Sequence, residues 1–304
     1  MVSKEEFNKY LDELMSKDKN NRNLKHLTAS KFYSSEGIGR IAFILLFVGL
    51  CSFTSRGFFW LGVALTVLSI LCFAILVIMV EKANQAEKYY AEYQKKVIDY
   101  LLDGYKYTLD KRGSVDKQVF IDSQFLQNKM NGYSGEDKLV INIPSDKGEE
   151  SSHNLILSEV NSFGEECSFR GVFGYIELPH EFKCTLCING TYDKELSLME
   201  PVELEDIDFN ETFKVLSDNQ VEARYILTPN VMDTLLKLNE KTKLLKITLV
   251  DNRVYFGFKS MKLFDVSFVK KGEVTSMFSG FYDPMAVCLG FLDEIKKNDK
   301  VFKI

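Results

Sequence analysis

Histidine is nearly missing from this sequence. His26, His153 and His180 are the three present, which leaves little for imidazole acid–base or metal chemistry. There is no Gly-x-Ser-x-Gly elbow, no His-Glu-x-x-His helix and no phosphate-cradling glycine loop with a Lys. Those absences exclude the common hydrolase, metalloprotease and nucleotide-binding signatures. Positive charge is also in deficit, with 38 Lys and Arg against 43 Asp and Glu. The part up to Gly104 carries roughly +2 and the remainder roughly −7. An acidic domain excludes nucleic acid as a partner, because a basic face should dominate that affinity. The first forty residues are polar and charged, so no cleavable signal peptide is expected. No internal repeat is visible.

The six cysteines are Cys51, Cys72, Cys167, Cys184, Cys187 and Cys288. Two fall in apolar runs and the rest lack a disulfide spacing, which fits a reducing compartment. What the chain has in abundance is one apolar tract. Between Ile41 and Val80 the single charge is Arg56. Phe58–Val80 is an uncharged run of about 23 residues, enough at ~1.5 Å per residue to cross a ~30 Å hydrocarbon core. Ile41–Thr54 is shorter and spans only if Arg40 and Arg56 snorkel. Ser55-Arg56-Gly57 joins the two, so a tight antiparallel hairpin is expected. Lys25, Lys31 and Arg40 precede the hairpin, and Lys82, Lys88, Lys95 and Lys96 follow it. The positive-inside bias then puts both termini in the cytoplasm.

Amphipathic stripes flank this tract. Phe7, Tyr10, Leu11, Leu14 and Met15 fall at helical spacing, as do Tyr89, Tyr93, Val97, Tyr100 and Leu101 before Gly104. Two facing stripes make a helical stalk; self-association into a homo-oligomer through the same stripes is the competing arrangement. From Val119 the pattern turns to period two. Strands are expected at Val119–Ile121, Leu139–Ile143, Asn154–Val160, Ser168–Ile176, Phe182–Ile188 and Leu245–Val250. Asn189-Gly190 and Asn252-Arg253 read as turns. Thr228-Pro229 and Asp283-Pro284 each read as a helix start, with a capping side chain before proline. Lys111–Ser114 and Ser145–Ser152 read as exposed loops.

Candidate chemistry is sparse. Cys184 and Cys187 are three apart and could chelate zinc with His180 and Cys167, but no second knuckle accompanies them. A strand there would put the two thiols on opposite faces. His153 reads as a solvated loop residue. Glu203 and Glu205 could supply a carboxylate pair, and Glu200–Asn210 has calcium-like acidity without the calcium-loop spacing. Val221–Leu227 reads as the second strand of a hairpin after Phe213–Val215, turning at Asp218-Asn219. That parity puts Glu222 and Arg224 on one face and Tyr225 on the other.

The run Asp208-Phe209, Phe213 through Pro229, then Met232 and Leu235-Leu236, resembles the signature of a bacterial membrane family, domain of unknown function 3137 (DUF3137). Ser158-Glu159-Val160 and Phe169–Phe173 add to the resemblance. It implies a membrane protein with two spans and a cytoplasmic domain, and no catalytic residue. It also implies, by association, a LemA-type membrane protein as partner.

The expectation is a two-span transmembrane helical hairpin with flanking helices, plus a C-terminal α+β domain with a mainly antiparallel sheet. Residues 1–36 form an amphipathic helical segment, 37–80 the hairpin (about 38–55 and 58–80), 81–104 a membrane-proximal helix and 105–304 the cytoplasmic domain. The function expected is a multi-pass cell-membrane binding or scaffold module without cofactor, metal or catalytic residues. The alternatives are a membrane-tethered hydrolase or transferase using carboxylates with Arg224 and Tyr225, and a zinc or thiol sensor.

Overall fold

The computed structural model describes residues 2–16, 44, 47, 59–125, 130–145, 148–164, 168–189, 199–242, 245–264 and 278–297. The chain divides into two compact units, one mainly Val2–Tyr100, the other Leu101–Asp265 with Gly280–Ile304.

The first unit is helical. Helix α1, Lys4–Ser16, begins with a capping box. The Ser3 hydroxyl accepts from the Glu6 amide at 3.2 Å, and the Glu6 carboxylate accepts from the Ser3 amide at 2.9 Å. Phe7 and Leu11, one turn apart, are fully buried. Tyr10 lies flat on Tyr100 with ring centroids 3.8 Å apart, and its hydroxyl donates to the Lys96 carbonyl at 3.2 Å. The two stripes therefore pair within one chain. Helix α2 runs unbroken for 43 residues, Phe59–Leu101, because neither glycine nor proline occurs after Gly62 until Gly104.

This corrects the expected hairpin. Among the described residues one helix is long and apolar enough to cross a membrane, Trp60–Ile78, and no two-span hairpin is found. Apart from Ile44 and Phe47, Ile41–Thr54 lies outside the described residues. The apolar stretch continues into the segment from Glu81 as one helix, Phe59–Leu101.

The second unit is built on one nine-stranded sheet, larger than the sequence implied, in the order β1-β2-β3-β4-β9-β8-β5-β7-β6 with every pairing antiparallel. The strands are β1 Lys106–Asp110, β2 Met130–Ser145, β3 Gly148–Gly164, β4 Ser168–Glu177, β5 Leu186–Ile188, β6 Glu200–Pro201, β7 Val215–Ser217, β8 Leu245–Val250 and β9 Arg253–Lys259. On one face Phe120, Phe125, Phe169, Phe173 and Tyr255 form a buried ring cluster with Val160. On the other, Phe256 packs on Phe291 of helix α7, Tyr282–Lys297, at 4.7 Å.

Two expected strands are helices instead. Val119–Ile121 lies in α3, Lys117–Asp122, where the Asp116 carboxylate caps the Gln118 amide at 2.7 Å. Val221–Leu227 lies mostly in α5, Gln220–Ile226, started by Asn219, whose Oδ1 accepts from the Val221 and Glu222 amides at 3.2 Å. The apparent alternation misleads there. The buried residues Ala223, Ile226 and Leu227 recur at i, i+3 and i+4, which is helical spacing. Phe182–Ile188 shortens to β5, because Phe182 and Thr185 bond sideways to the Asp251 carbonyl and the Asp218 carboxylate. Helix α4, Ile207–Thr212, is capped by Asp206, and α6, Pro229–Thr242, starts where Thr228-Pro229 predicts.

Candidate functional site

One edge region of the sheet breaks the apolar rule. Glu136 of β2 stands opposite Glu159 of β3, and two rungs along Ser134, Asn161 and Arg170 line up across β2, β3 and β4. Residues two apart share a strand face, so these polar side chains crowd one surface. They line a cleft of about 290 Å³ with Gly135, Gly171, Met261 and Lys262.

Each wall has a local cause. After Glu136 the β2–β3 register slips, leaving Asp137 at φ 57° in a bulge. The Asp137 amide donates to the Lys111 carbonyl at 3.2 Å, and the Ser158 hydroxyl donates to the Glu136 carbonyl at 2.9 Å. The Glu159 carboxylate accepts from the Leu263 and Phe264 amides at 2.7 and 3.3 Å, which fixes the chain after β9. The Arg170 carbonyl accepts from the Ser260 amide at 2.7 Å. Burial, with Glu159 and Glu136 adding repulsion, pushes the Asp137 carboxyl up to about 6, against the pull of Lys111. Burial also raises Glu159, outweighing its two backbone donors. Such a cleft presents charge of both signs, from Glu136 and Glu159 and from Arg170 and Lys262.

The residues singled out from sequence do not gather. Glu222, Arg224 and Tyr225 sit on α5; the Arg224 guanidinium donates to the Gln220 and Glu203 carbonyls at 3.2 Å, and Tyr225 is exposed. The parity that separated them belonged to a strand the chain does not form. Glu203 and Glu205 are exposed beside β6. Cys184 and Cys187 are both buried, and burial pushes each thiol up to about 11, which suits inert packing. Cys184 precedes β5, so the two are not opposed on one strand. His180 packs edge-on against Phe182 at 5.5 Å, and Cys167 lies outside the described residues. Among the described residues no three His, Cys, Asp or Glu side chains cluster to hold a metal. His153 is in β3 rather than a loop, with Nδ1 3.1 Å from the Glu177 carbonyl.

The cleft was missed because Glu136 and Asp137 look like surface charge. The available signal was Glu159 and Arg170, each a lone charge inside an otherwise apolar strand stretch. Val160 and Gly171 pair across β3 and β4, which brings together two segments noted only for their family resemblance.

No curated protein matches the chain. Among solved structures, the mycobacterial trehalose monomycolate transport factor A, TtfA, aligns over 65% of this chain and 92% of its own, at 8% identity and a TM-score of 0.32, too distant for any transfer. Residues 167–297 match the family model described as Protein of unknown function (DUF3137). That range contains the Asp208–Pro229 signature, and the match supports the resemblance of this part of the chain to DUF3137.

Proposed function

We infer that this chain is a membrane-anchored binding module rather than an enzyme. The observation that carries the reading is the exposure of Trp60–Ile78, a stretch of mean hydropathy 2.9 with only 11% of its residues buried. Ile70, Leu71, Phe73 and Ile78 are each more than half exposed along one helix. A soluble core helix would bury those side chains, whereas a bilayer makes their exposure favourable. Lys82, Lys88, Lys95 and Lys96 follow the stretch, and Arg56 alone precedes it closely. That bias supports a cytoplasmic sheet domain.

For partner contact the sheet domain offers Val221 and Tyr225, one turn apart on α5 and 78% and 61% exposed. Helix α6 does not serve, because its Val231, Met232, Leu235 and Leu238 are buried. A LemA-type membrane protein is the first partner to test. The full chain should stay with membranes through alkaline extraction, and deletion of 59–80 should release it. From mild detergent it should retain a protein partner that Val221→Asp with Tyr225→Ala loses. A chain extracted by alkali would overturn the anchor. A purified chain that turns over a substrate and retains no partner would overturn the binding role.

The raised carboxyls of Asp137 and Glu159 favour the second reading, a tethered hydrolase or transferase using carboxylates. Its test is turnover that Asp137→Asn abolishes.

A further inference from the structure

We propose that the cleft between β2, β3 and β4 binds a small zwitterion carrying an ammonium and a carboxylate, a compound of the amino-acid class. This goes beyond the anchoring and partner-binding reading and does not depend on it.

Three observations converge. First, Glu136 and Glu159 share a rung, and like charges directly opposite one another are unfavourable in a sheet. A cation seated between them relieves that repulsion. Glu159 cannot turn away, because the Leu263 and Phe264 amides hold it. Lys262 also acts on Glu159 from the chain after β9, whereas Glu136 is exposed at the cleft mouth and open to a cation.

Second, the guanidinium of Arg170 makes no hydrogen bond or ion pair with any of the described residues. It stands two rungs along, beside Asn161, whose side-chain amide is likewise unbonded among the described residues. A guanidinium presents paired N–H donors that match a carboxylate, and an amide beside it can add a third bond. One rung therefore offers negative charge and the second rung along positive charge, ~7 Å apart along the strand before the side chains reach inward.

Third, the space is small. About 290 Å³ lies at the floor of the ~300–1,000 Å³ range of ligand clefts. A compound of a few heavy atoms with two charged ends fills that space. The lining is polar apart from Val160 and Met261, which suits a hydrophilic ligand over an acyl chain.

The test uses the full chain in detergent, with glycine, L-alanine and 4-aminobutanoate as probes, and ethylamine and acetate as single-charge controls. Calorimetric titration and thermal shift should show saturable binding of at least one zwitterion, and neither control should match it. Glu136→Gln and Arg170→Gln should each weaken that binding at least tenfold without lowering the unliganded melting temperature, since neither side chain supports the fold and Glu136→Gln also removes a like-charge pair. No binding by any zwitterion at 20 mM would overturn the proposal. So would controls that bind equally well, or a zwitterion affinity that both variants leave intact.

Discussion

Glu136 faces Glu159 across the β2–β3 ladder, while at the end of β4 Glu177 faces Arg253 across β4–β9. The second rung is an ordinary cross-strand pair, closed by an Arg253–Glu177 bridge at 2.6 Å. The first has two acids where the sheet prefers opposite charges. It sits against the bulge that lodges Asp137, so the partly buried Asp137 and Glu159 carboxyls and the exposed Glu136 repel one another.

That crowding sets a pH dependence opposite to the usual carboxylate behaviour. Burial pushes the folded Asp137 carboxyl up to about 6, above the ordinary 3.8. The native state thus holds its proton more tightly than the unfolded chain, and stability from this group falls as pH rises from about 4 to about 6. Asp137→Asn, which tolerates the positive φ, should stabilise the protein at pH 7.5. After discounting for solvent screening, the gain is on the order of 1 kcal/mol, or ~2–4 °C. The gain should vanish near pH 4. Thermal melts at the two pH values test it; an equal difference at both would refute the assignment.

Two glycines should respond with opposite signs to alanine. A Cβ on Gly171 would lie 2.1 Å from the Phe258 carbonyl oxygen, so the β4–β9 pairing must shift. Gly171→Ala should cost about 1–3 kcal/mol. A Cβ on Gly290, inside α7, would meet nothing within 4 Å, so Gly290→Ala should stabilise by ~0.5–1 kcal/mol. Denaturant titration of both variants reads the contrast.

Asn219→Ala tests the helix that replaced an expected strand. Losing the acceptor for two α5 amides should cost ~0.5–2 kcal/mol, and Asn219→Ser should recover part of that. If α5 were a strand, neither change would follow cap chemistry. Chemical denaturation of the two variants distinguishes these outcomes.

Phe7→Ala should release α1 from α2. The ring is fully buried, and its loss costs about 3–5 kcal/mol where packing cannot relax, more than a 13-residue helix can spare. Limited proteolysis should then cut within Lys4–Ser16, at sites protected in the parent chain.

Local chemistry made several features readable from the sequence alone. Unbroken apolarity in Phe58–Val80 is a composition signal, and the membrane-type helix at Trp60–Ile78 follows from it. The cap-and-proline start of α6, the Phe7 and Tyr100 stripes and the strands β4 and β8 depend on residues near in sequence, and they form as expected. The family signature was legible for the same reason, as a contiguous run. Tertiary structure decided the rest. Whether Val221–Ile226 became strand or helix turned on burial of Ala223 and Ile226, which alternation cannot report. The path by which β9 joins β4 to β8 is a pairing between segments about eighty residues apart, and no local pattern encodes it. The cleft is the clearest case. Glu136 is an unremarkable charge along the chain, and only antiparallel register sets it opposite Glu159, with the Arg170 guanidinium two rungs away on the same face.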